Sequence, residues 1–317
     1  MSIKLDVKDK KILHQLDIDC RQSHNQIGRK VGLSKNVVQY RIKELERKEI
    51  IQSYYTITNI AKLGYIYTRF YFNFHSLTKG DYNKLVEDFK KMPNLNWLGA
   101  GEGEWEFVAV FLLKDIREMY TLYRNIIDKY SKCIVKKDVS PLARAHIFTQ
   151  NYIYPDYKSN VVTIEGNDET KMLDENDMTI IRELEMSPRI TMLALSKKAG
   201  LTPKTVSLKI RKLVKNKFIL AFRYQLNHKL LGYDYYHVYF VLQNLTKQKR
   251  NSFIEYLTSI KNVFYIDETF GKYDAECEFM VTSNNELHSI IDDLKYRFPE
   301  LIRAYKTALI FEVYKAF

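Results

Sequence analysis

The chain has 317 residues and a formal net charge of +12, and its residues are 46% hydrophobic and 28% charged. This length predicts roughly two domains of about 150 residues, and the ordinary hydrophobic fraction excludes a wholly disordered protein. The longest uninterrupted apolar run, Phe107–Leu113, is far shorter than the ~20 residues that cross a bilayer as a helix. We therefore expect a cytoplasmic protein with no membrane partner.

Cysteine, histidine and charge content narrow the chemistry further. The first residues lack the apolar stretch of a secretory signal. The cysteines are odd in number and far apart, which predicts reduced thiols and neither a disulfide framework nor a metal site. The seven histidines show no metal-ligand spacing, so we expect no metal ion, no other cofactor and no catalytic residues. The sequence pI near 9.3 favours a polyanionic partner.

The sequence repeats itself once, at an offset of 168 residues. Gly32-Leu33-Ser34 aligns with Gly200-Leu201-Thr202, and about 20 of the 68 positions from residue 5 to residue 72 are identical between the copies. We expect this register to persist to Gly103 and Gly271 and then to drift by about five residues. The polar stretch between the copies, residues 156–171, has the composition of an exposed linker.

Each copy opens with a pattern that predicts three helices. In the first copy Gly32 ends the second helix, since glycine tolerates the left-handed conformation there, and Ser34 caps the third. Val38, Ile42 and Leu45 give that third helix one buried stripe. The second copy repeats these signals, and helix, turn and helix after a bracing helix predict a helix-turn-helix. We expect the extended segments that follow, residues 50–57 and 218–226, to form the wing hairpin of each copy.

The exposed side of each third helix is rich in groups that bind DNA. Residues 197–217 contain eight basic residues and no acidic one, and lysine and arginine contact phosphates while polar side chains also read base edges. The positions that we expect to contact DNA are Ser34, Lys35, Asn36, Gln39, Tyr40, Arg41 and Lys43 in the first copy and Thr202, Lys204, Thr205, Ser207, Lys209, Arg211 and Lys212 in the second.

The rest of each copy alternates strands and helices in the order βαββαβ, which predicts a ferredoxin-like sandwich. Two helices cover one face of such a sheet, so the other face is free to pair with a second copy. The fold class is therefore α+β, with two winged helix-turn-helix domains and two ferredoxin-like domains.

These residues resemble the Lrp/AsnC family of bacterial and archaeal transcription regulators. The pattern begins at Leu5-Asp6-x-x-Asp9 and continues through Gly32-Leu33-Ser34 and Leu63-Gly64, and the second copy matches it from Leu173-Asp174 onward. The ferredoxin-like parts resemble the effector-binding RAM domain of the family. The resemblance implies winged helix-turn-helix domains at 1–60 and 172–228, RAM-like domains at 61–155 and 229–317, and a linker at 156–171.

The chain departs from this family pattern in two ways. Typical members carry one helix-turn-helix domain, which we call the head, and one RAM domain, whereas both are duplicated here. The chain therefore forms either an internal pseudo-dimer or a homodimer. Typical members also have a glycine before the wing, and Glu49 and Lys217 stand at those positions. Because the two recognition helices differ, an internal dimer would read two unlike half-sites of double-stranded DNA.

The family resemblance further implies a small-molecule effector such as an amino acid. The expected effector-binding residues lie in two turns: Gly101, Glu102 and Gly103, with Gly271, Lys272 and Asp274. Two alternatives to a sequence-specific transcription regulator remain open. One is a siroheme-decarboxylase-like enzyme on the same scaffold, for which His146, His237 and Arg144 are the candidate residues, and the other is a protein-interaction scaffold.

Overall fold

In the computed structural model, which describes residues 3–165 and 173–316, each of two compact units takes segments from both sequence copies. Unit 1 comprises Met1–Leu63 and Ile147–Tyr233, and unit 2 comprises Gly64–His146 and Asp234–Phe317. The two heads thus share unit 1, and the two sandwiches share unit 2. None of the helices in the described part of the chain combines the length and apolar character that a membrane span requires.

Unit 1 holds three helices and one strand from each copy. The elements are α1 Val7–Ile18, α2 His24–Val31, α3 Lys35–Arg47 and β1 Ile51–Thr58, with α6 Glu175–Met186, α7 Met192–Lys198, α8 Pro203–Lys215 and β7 Ile219–Leu226. A further strand, β6 (Val161–Glu165), lies inside the segment predicted as a linker. Residues 166–171 of that predicted linker lie outside the described residues.

The helices of each head begin and end at the predicted capping residues and glycines. The Ser34 hydroxyl accepts a hydrogen bond from the Val37 amide at 3.3 Å, and Thr202 accepts from the Thr205 amide at 3.2 Å. Gly32 and Gly200 adopt left-handed φ values of 68° and 63°. The helix-turn-helix arrangement is therefore confirmed in both copies.

The predicted extended segments form strands, but they pair between the two copies and not as a hairpin within each copy. Strand β1 pairs antiparallel with β7 of the other copy, with Tyr54 opposite Tyr224. After each strand the chain enters a short 3₁₀ helix, Ile60–Leu63 or Lys229–Leu231, and the strand that follows belongs to unit 2. Each strand instead satisfies its backbone groups with its counterpart. Helix α1 packs on β7 and α6 on β1, so each head rests on a strand of the other copy.

The turns before β1 and β7 place a non-glycine residue in the left-handed region. Glu49 has φ 56° and Lys217 has φ 58°, where a side chain other than glycine costs roughly 1–2 kcal/mol. We expect Glu49→Gly to raise the free energy of unfolding by about 0.5–1 kcal/mol, after the entropy that glycine gains in the unfolded chain. Chemical denaturation would measure this. Glu49→Ala is the control, because it removes the carboxylate but keeps Cβ, and equal stability of both variants would contradict the explanation.

Unit 2 contains the two predicted βαββαβ sandwiches, which confirms the fold class. The first consists of β2 Ile66–Phe74, α4 Lys79–Lys90, β3 Leu95–Gly103, β4 Phe107–Leu113, α5 Ile116–Tyr130 and β5 Ile134–Phe148. The second consists of β8 Asp234–Leu242, α9 Lys247–Ser259, β9 Val263–Thr269, β10 Ala275–Val281, α10 Asn284–Arg297 and β11 Ile302–Ala316. The core of the first lies between its sheet and its helices, around Phe72, Phe89 and Phe111.

The two sheets of unit 2 join at both edges. The strand order is β2-β4-β3-β11-β8-β10-β9-β5, and β5 also pairs with β2. The last strand of each copy therefore serves its own sheet and the other, which makes an internal pseudo-dimer. The predicted drift of the repeat is wrong, because β5 and β11 still begin 168 residues apart, at Ile134 and Ile302. Few residues are identical between the copies in this region, but the helices and strands keep the 168-residue offset.

Charged side chains lie buried between the two sheets. Arg69 of β2 is 5% exposed and contacts Asp267, Glu276 and Glu278 of the second copy. His237 lies beside Glu278, with its Nε2 3.1 Å from Oε1. We call these five residues the core charge cluster. Three carboxyl groups thus face one guanidinium in this buried site.

The cluster predicts a pH effect on the stability of unit 2. Burial raises the pKa of Asp267 to about 8, against the attraction of Arg69 and with repulsion from Glu278. The folded state therefore keeps a proton that the unfolded state releases, so this group stabilises the fold less as pH rises from about 4 to about 8. The slope is at most about 1.4 kcal/mol per pH unit.

The expected result is that Asp267→Asn abolishes this slope between pH 6.5 and 8. Lower pH is less informative, because burial lowers the pKa of His14 and His228 of unit 1 to about 4, and those groups change stability in the opposite direction. Urea unfolding followed by tryptophan fluorescence would measure the difference, since Trp97 and Trp105 are the two tryptophans of the chain and both belong to unit 2. A variant with the wild-type slope would contradict the assignment.

Candidate nucleic-acid interface

Helix α3 buries one stripe and exposes the opposite side. Val38, Ile42 and Leu45 are at most 4% exposed, which confirms the predicted stripe. Of the residues expected to contact DNA, Gln39 and Arg41 are half-buried, and the others are exposed: Ser34, Lys35, Asn36, Tyr40 and Lys43.

Helix α8 repeats this arrangement with different side chains. Thr202, Lys204, Arg211 and Lys212 are exposed, whereas Thr205, Ser207 and Lys209 are half-buried. Tyr40 and Leu208 occupy equivalent positions in the repeat and are 65% and 55% exposed. Each recognition helix thus exposes cations and polar groups together with a large side chain, Tyr40 or Leu208.

Arg41 and Lys209, two of the residues expected to contact DNA, also have acidic partners within their own heads. Arg41 donates to Asp6 and Asp9, both at 2.7 Å. The equivalent Lys209 donates to Asp174 at 2.6 Å and to Asp177 at 2.9 Å. These residues fasten each recognition helix to the start of the first helix of its own head, so their charges are already neutralised within the fold.

The titration of these groups agrees with their structural role. Hydrogen bonds from Lys209 and from the Asp177 amide lower the pKa of Asp174. Hydrogen bonds to Asp6 and Asp9 raise the pKa of Arg41. The bonds therefore persist at neutral pH. Of the cations expected to contact DNA, the exposed ones are Lys35, Lys43, Lys204, Arg211 and Lys212.

A second pair of equivalent residues joins the two heads. Arg21 donates to the carbonyl oxygens of Pro188 and, at 3.3 Å, of Ile190. Its counterpart Arg189 donates to the Tyr54 hydroxyl at 2.8 Å. The sequence analysis did not predict that these arginines join the heads. The signal that could have indicated it is that the repeat aligns Arg21 with Arg189. Together with the pairing of β1 and β7, these contacts connect the two recognition helices through one structural unit.

The residues expected to bind an effector have structural roles in unit 2. A Cβ atom on Gly101 would lie 2.8 Å from the Leu309 carbonyl oxygen, and one on Gly103 would lie 2.4 Å from that of Thr307, so strand pairing with β11 requires both glycines. Glu102 is exposed, and Gly271 adopts φ 127°.

The other two expected effector residues have partners within unit 2. Lys272 donates to Glu104 at 2.8 Å, and Asp274 accepts from the Leu242 amide at 2.7 Å. Effector binding at these six positions stays a prediction of the family resemblance.

The candidate residues of the enzyme alternative contact protein carboxylates. His146 lies 3.0 Å and Arg144 3.3 Å from the same oxygen of Glu268. His237 is 2% exposed, lies beside Glu278, and is hydrogen-bonded to Tyr235 and Tyr239. All three side chains therefore have hydrogen-bond or ion-pair partners within unit 2.

Comparisons with known proteins agree with the two heads. Residues 5–46 match the family of the AsnC-type helix-turn-helix domain, and residues 173–219 match that of the winged helix-turn-helix DNA-binding domain. The transcriptional regulator AzlB of Bacillus subtilis is 30% identical over 128 residues, which cover 40% of this chain and 79% of that protein. The HTH-type transcriptional regulator LrpA of Pyrococcus horikoshii is 29% identical over 130 residues, which cover 39% and 87%.

A solved structure resembles the two-copy arrangement as a whole. The siroheme decarboxylase NirDL superposes with a TM-score of 0.65 over 98% of this chain and 92% of that chain, at 12% sequence identity. At this identity the similarity concerns the fold alone. The matches of both heads and the identity to AzlB concern the sequence itself, and the regulators each correspond to about two fifths of this chain. The chain therefore belongs to the Lrp/AsnC family of transcription regulators and carries two helix-turn-helix units in one polypeptide.

Proposed function

We propose that this regulator binds double-stranded DNA through the exposed faces of α3 and α8. The observation that supports this most directly is the placement of outward-facing cations on the second helix of a helix-turn-helix, twice in one chain. That helix enters the major groove in proteins of this class. Lysine and arginine contact phosphates, and asparagine and glutamine read base edges. We place the protein in the cytoplasm with its DNA.

The two recognition helices favour unlike half-sites. Position for position, Asn36 corresponds to Lys204 and Tyr40 to Leu208. Leucine offers no hydrogen bond to a base and contacts only apolar groups such as the thymine methyl. The face of α8 therefore contributes mainly phosphate contacts, whereas α3 carries most of the base recognition.

Mapping of bound DNA across the genome would test this assignment. We expect a motif in which one half-site has strong base preferences and the other is degenerate. Asn36→Ala should relax the preferences of the strong half-site, at a cost of about 1–3 kcal/mol in discrimination. Lys204→Ala, at the equivalent position of α8, is the matched comparison and should weaken binding without changing the motif, because phosphate contacts carry no sequence information. A symmetric inverted repeat would contradict unlike half-sites, and retention of no duplex at low salt would contradict DNA binding itself.

A further inference from the structure

In the core charge cluster, the arginine and the acidic residues come from different copies. The guanidinium comes from the first copy, and all three carboxylates come from β9 and β10 of the second. Nη1 of Arg69 lies 2.5 Å from Glu276, and Nη2 lies 2.8 Å from Glu278. Within its own sheet, Arg69 stands opposite Val110. The first copy therefore offers this buried cation no acidic neighbour across the β2–β4 pair.

The 168-residue repeat shows what each position holds in the other copy. Glu276 and Glu278 correspond to Val108 and Val110, and Asp267 corresponds to Gly99. Arg69 corresponds to His237. The acids and the arginine are thus specific to one copy each, and neither copy carries the full set.

A second charged contact lies between equivalent residues. Glu104 and Lys272 are 168 residues apart, and the Lys272 ammonium lies 2.8 Å from a Glu104 carboxylate oxygen. Lys136 and Tyr273 donate to the same oxygen, and the ammonium groups of Lys136 and Lys272 lie over the Trp105 ring, 4.2 and 4.7 Å from its centroid. Because equivalent residues meet here, this contact marks the pseudo-twofold relation of the copies. We call it the axial pair.

The core charge cluster and the axial pair take their cations from opposite copies. In the core the guanidinium comes from the first copy and the acids from the second, whereas at the axial pair Glu104 comes from the first copy and Lys272 from the second. A pair of two first copies would bury Arg69 twice without an acid and bring Glu104 against Glu104. A pair of two second copies would bury six carboxylates with two histidines and bring Lys272 against Lys272. Uncompensated buried charge and like-charge contact both oppose association.

We propose that these charges make the RAM face of each copy specific for the other copy, so that two like faces reject each other. The face of the first copy fits a RAM partner that carries carboxylates on the second and third strands of its sandwich. Specificity of this kind needs both an attractive pair and a repulsive alternative, and both are present here.

Charge exchange at the axial pair tests the attraction in the full-length chain. We expect Glu104→Lys and Lys272→Glu each to lower the melting temperature of unit 2, followed by tryptophan fluorescence. The double variant Glu104→Lys with Lys272→Glu should recover at least half of the summed loss, because it restores opposite charges. Losses that simply add in the double variant would overturn the proposal.

Cross-linking tests the rejection of like faces. Lys272→Cys, made in a Cys133→Ser background, brings two thiols face to face when two second copies pair. We expect the oxidised chain to stay at 37.7 kDa on a non-reducing gel. Neutralising the charges with Arg69→Met, Asp267→Asn, Glu276→Gln, Glu278→Gln and Glu104→Gln should raise the covalent dimer at least tenfold. The control Glu104→Cys with Lys272→Cys should form a bond within one chain.

Two results would overturn the proposal. One is a Lys272→Cys chain that forms covalent dimers as readily with the wild-type core as with the neutral core. The other is a folded neutral variant that forms no dimer, because the connection between the copies alone would then prevent like pairing. If the neutral variant fails to fold, the charge exchange at the axial pair still decides the outcome.

Discussion

Arg69→Met is expected to lower the free energy of unfolding of unit 2 by roughly 3–5 kcal/mol, since removing one partner of a buried ion pair leaves uncompensated charge. The guanidinium is the counterion of Glu276 and Glu278 and also contacts Asp267. Each of these carboxyl groups is at most 5% exposed. Water cannot replace the guanidinium at that depth. Methionine retains much of the side-chain length, so loss of packing contributes little to the expected effect.

Comparison with a neutral core isolates the charge effect from packing. The variant that combines Arg69→Met with Asp267→Asn, Glu276→Gln and Glu278→Gln keeps the shapes and removes every formal charge of the carboxylates and the guanidinium. We expect it to be more stable than Arg69→Met alone, because replacing a whole buried ion network is often neutral. Urea unfolding of unit 2, followed by fluorescence of its two tryptophans, measures both. A loss below about 1 kcal/mol for Arg69→Met would contradict this account.

The local parts of this fold were predictable from the sequence. Caps such as Ser34, terminators such as Gly32 and the stripe of Val38, Ile42 and Leu45 act over a few residues, so the helix-turn-helix follows from them. The 168-residue repeat likewise revealed the duplication, and the element order of each half predicted the sandwiches.

Features that depend on distant residues were not predictable in the same way. The pairing of β1 with β7 joins strands whose patterns suit a local hairpin equally well, and the choice depends on what the chain does after each strand. The ion pairs of Arg41 and Lys209 require α3 to pack beside the N-terminus of α1, and α8 beside that of α6. The sequence does show acidic residues inside a strand, since Glu276 and Glu278 alternate with apolar residues. Their partner could not be predicted, because Arg69 lies more than 200 positions away.

The outward cations of the recognition helices should make DNA binding strongly dependent on salt. If the two heads together neutralise about six to ten phosphates, affinity falls by roughly 10³–10⁵-fold between 50 and 200 mM salt. Replacing Lys204, Arg211 and Lys212 by alanine removes three of these cations from α8. We expect the logarithmic salt slope to become shallower by about 2.7, which makes the fall in affinity roughly 40-fold smaller.

A charge-matched control separates local contacts from the net charge of the chain. Lys79, Lys84 and Lys91 are exposed lysines of unit 2, and their replacement by alanine lowers the formal charge by the same three units. This control should retain the wild-type slope, because a charge remote from the phosphates releases few counterions and is screened beyond about 10 Å at 0.1 M salt. Fluorescence anisotropy with a labelled duplex at several salt concentrations measures all three proteins. Equal slopes in the α8 variant and the control would mean that α8 does not lie against the DNA backbone, and the two-headed binding mode would then be wrong.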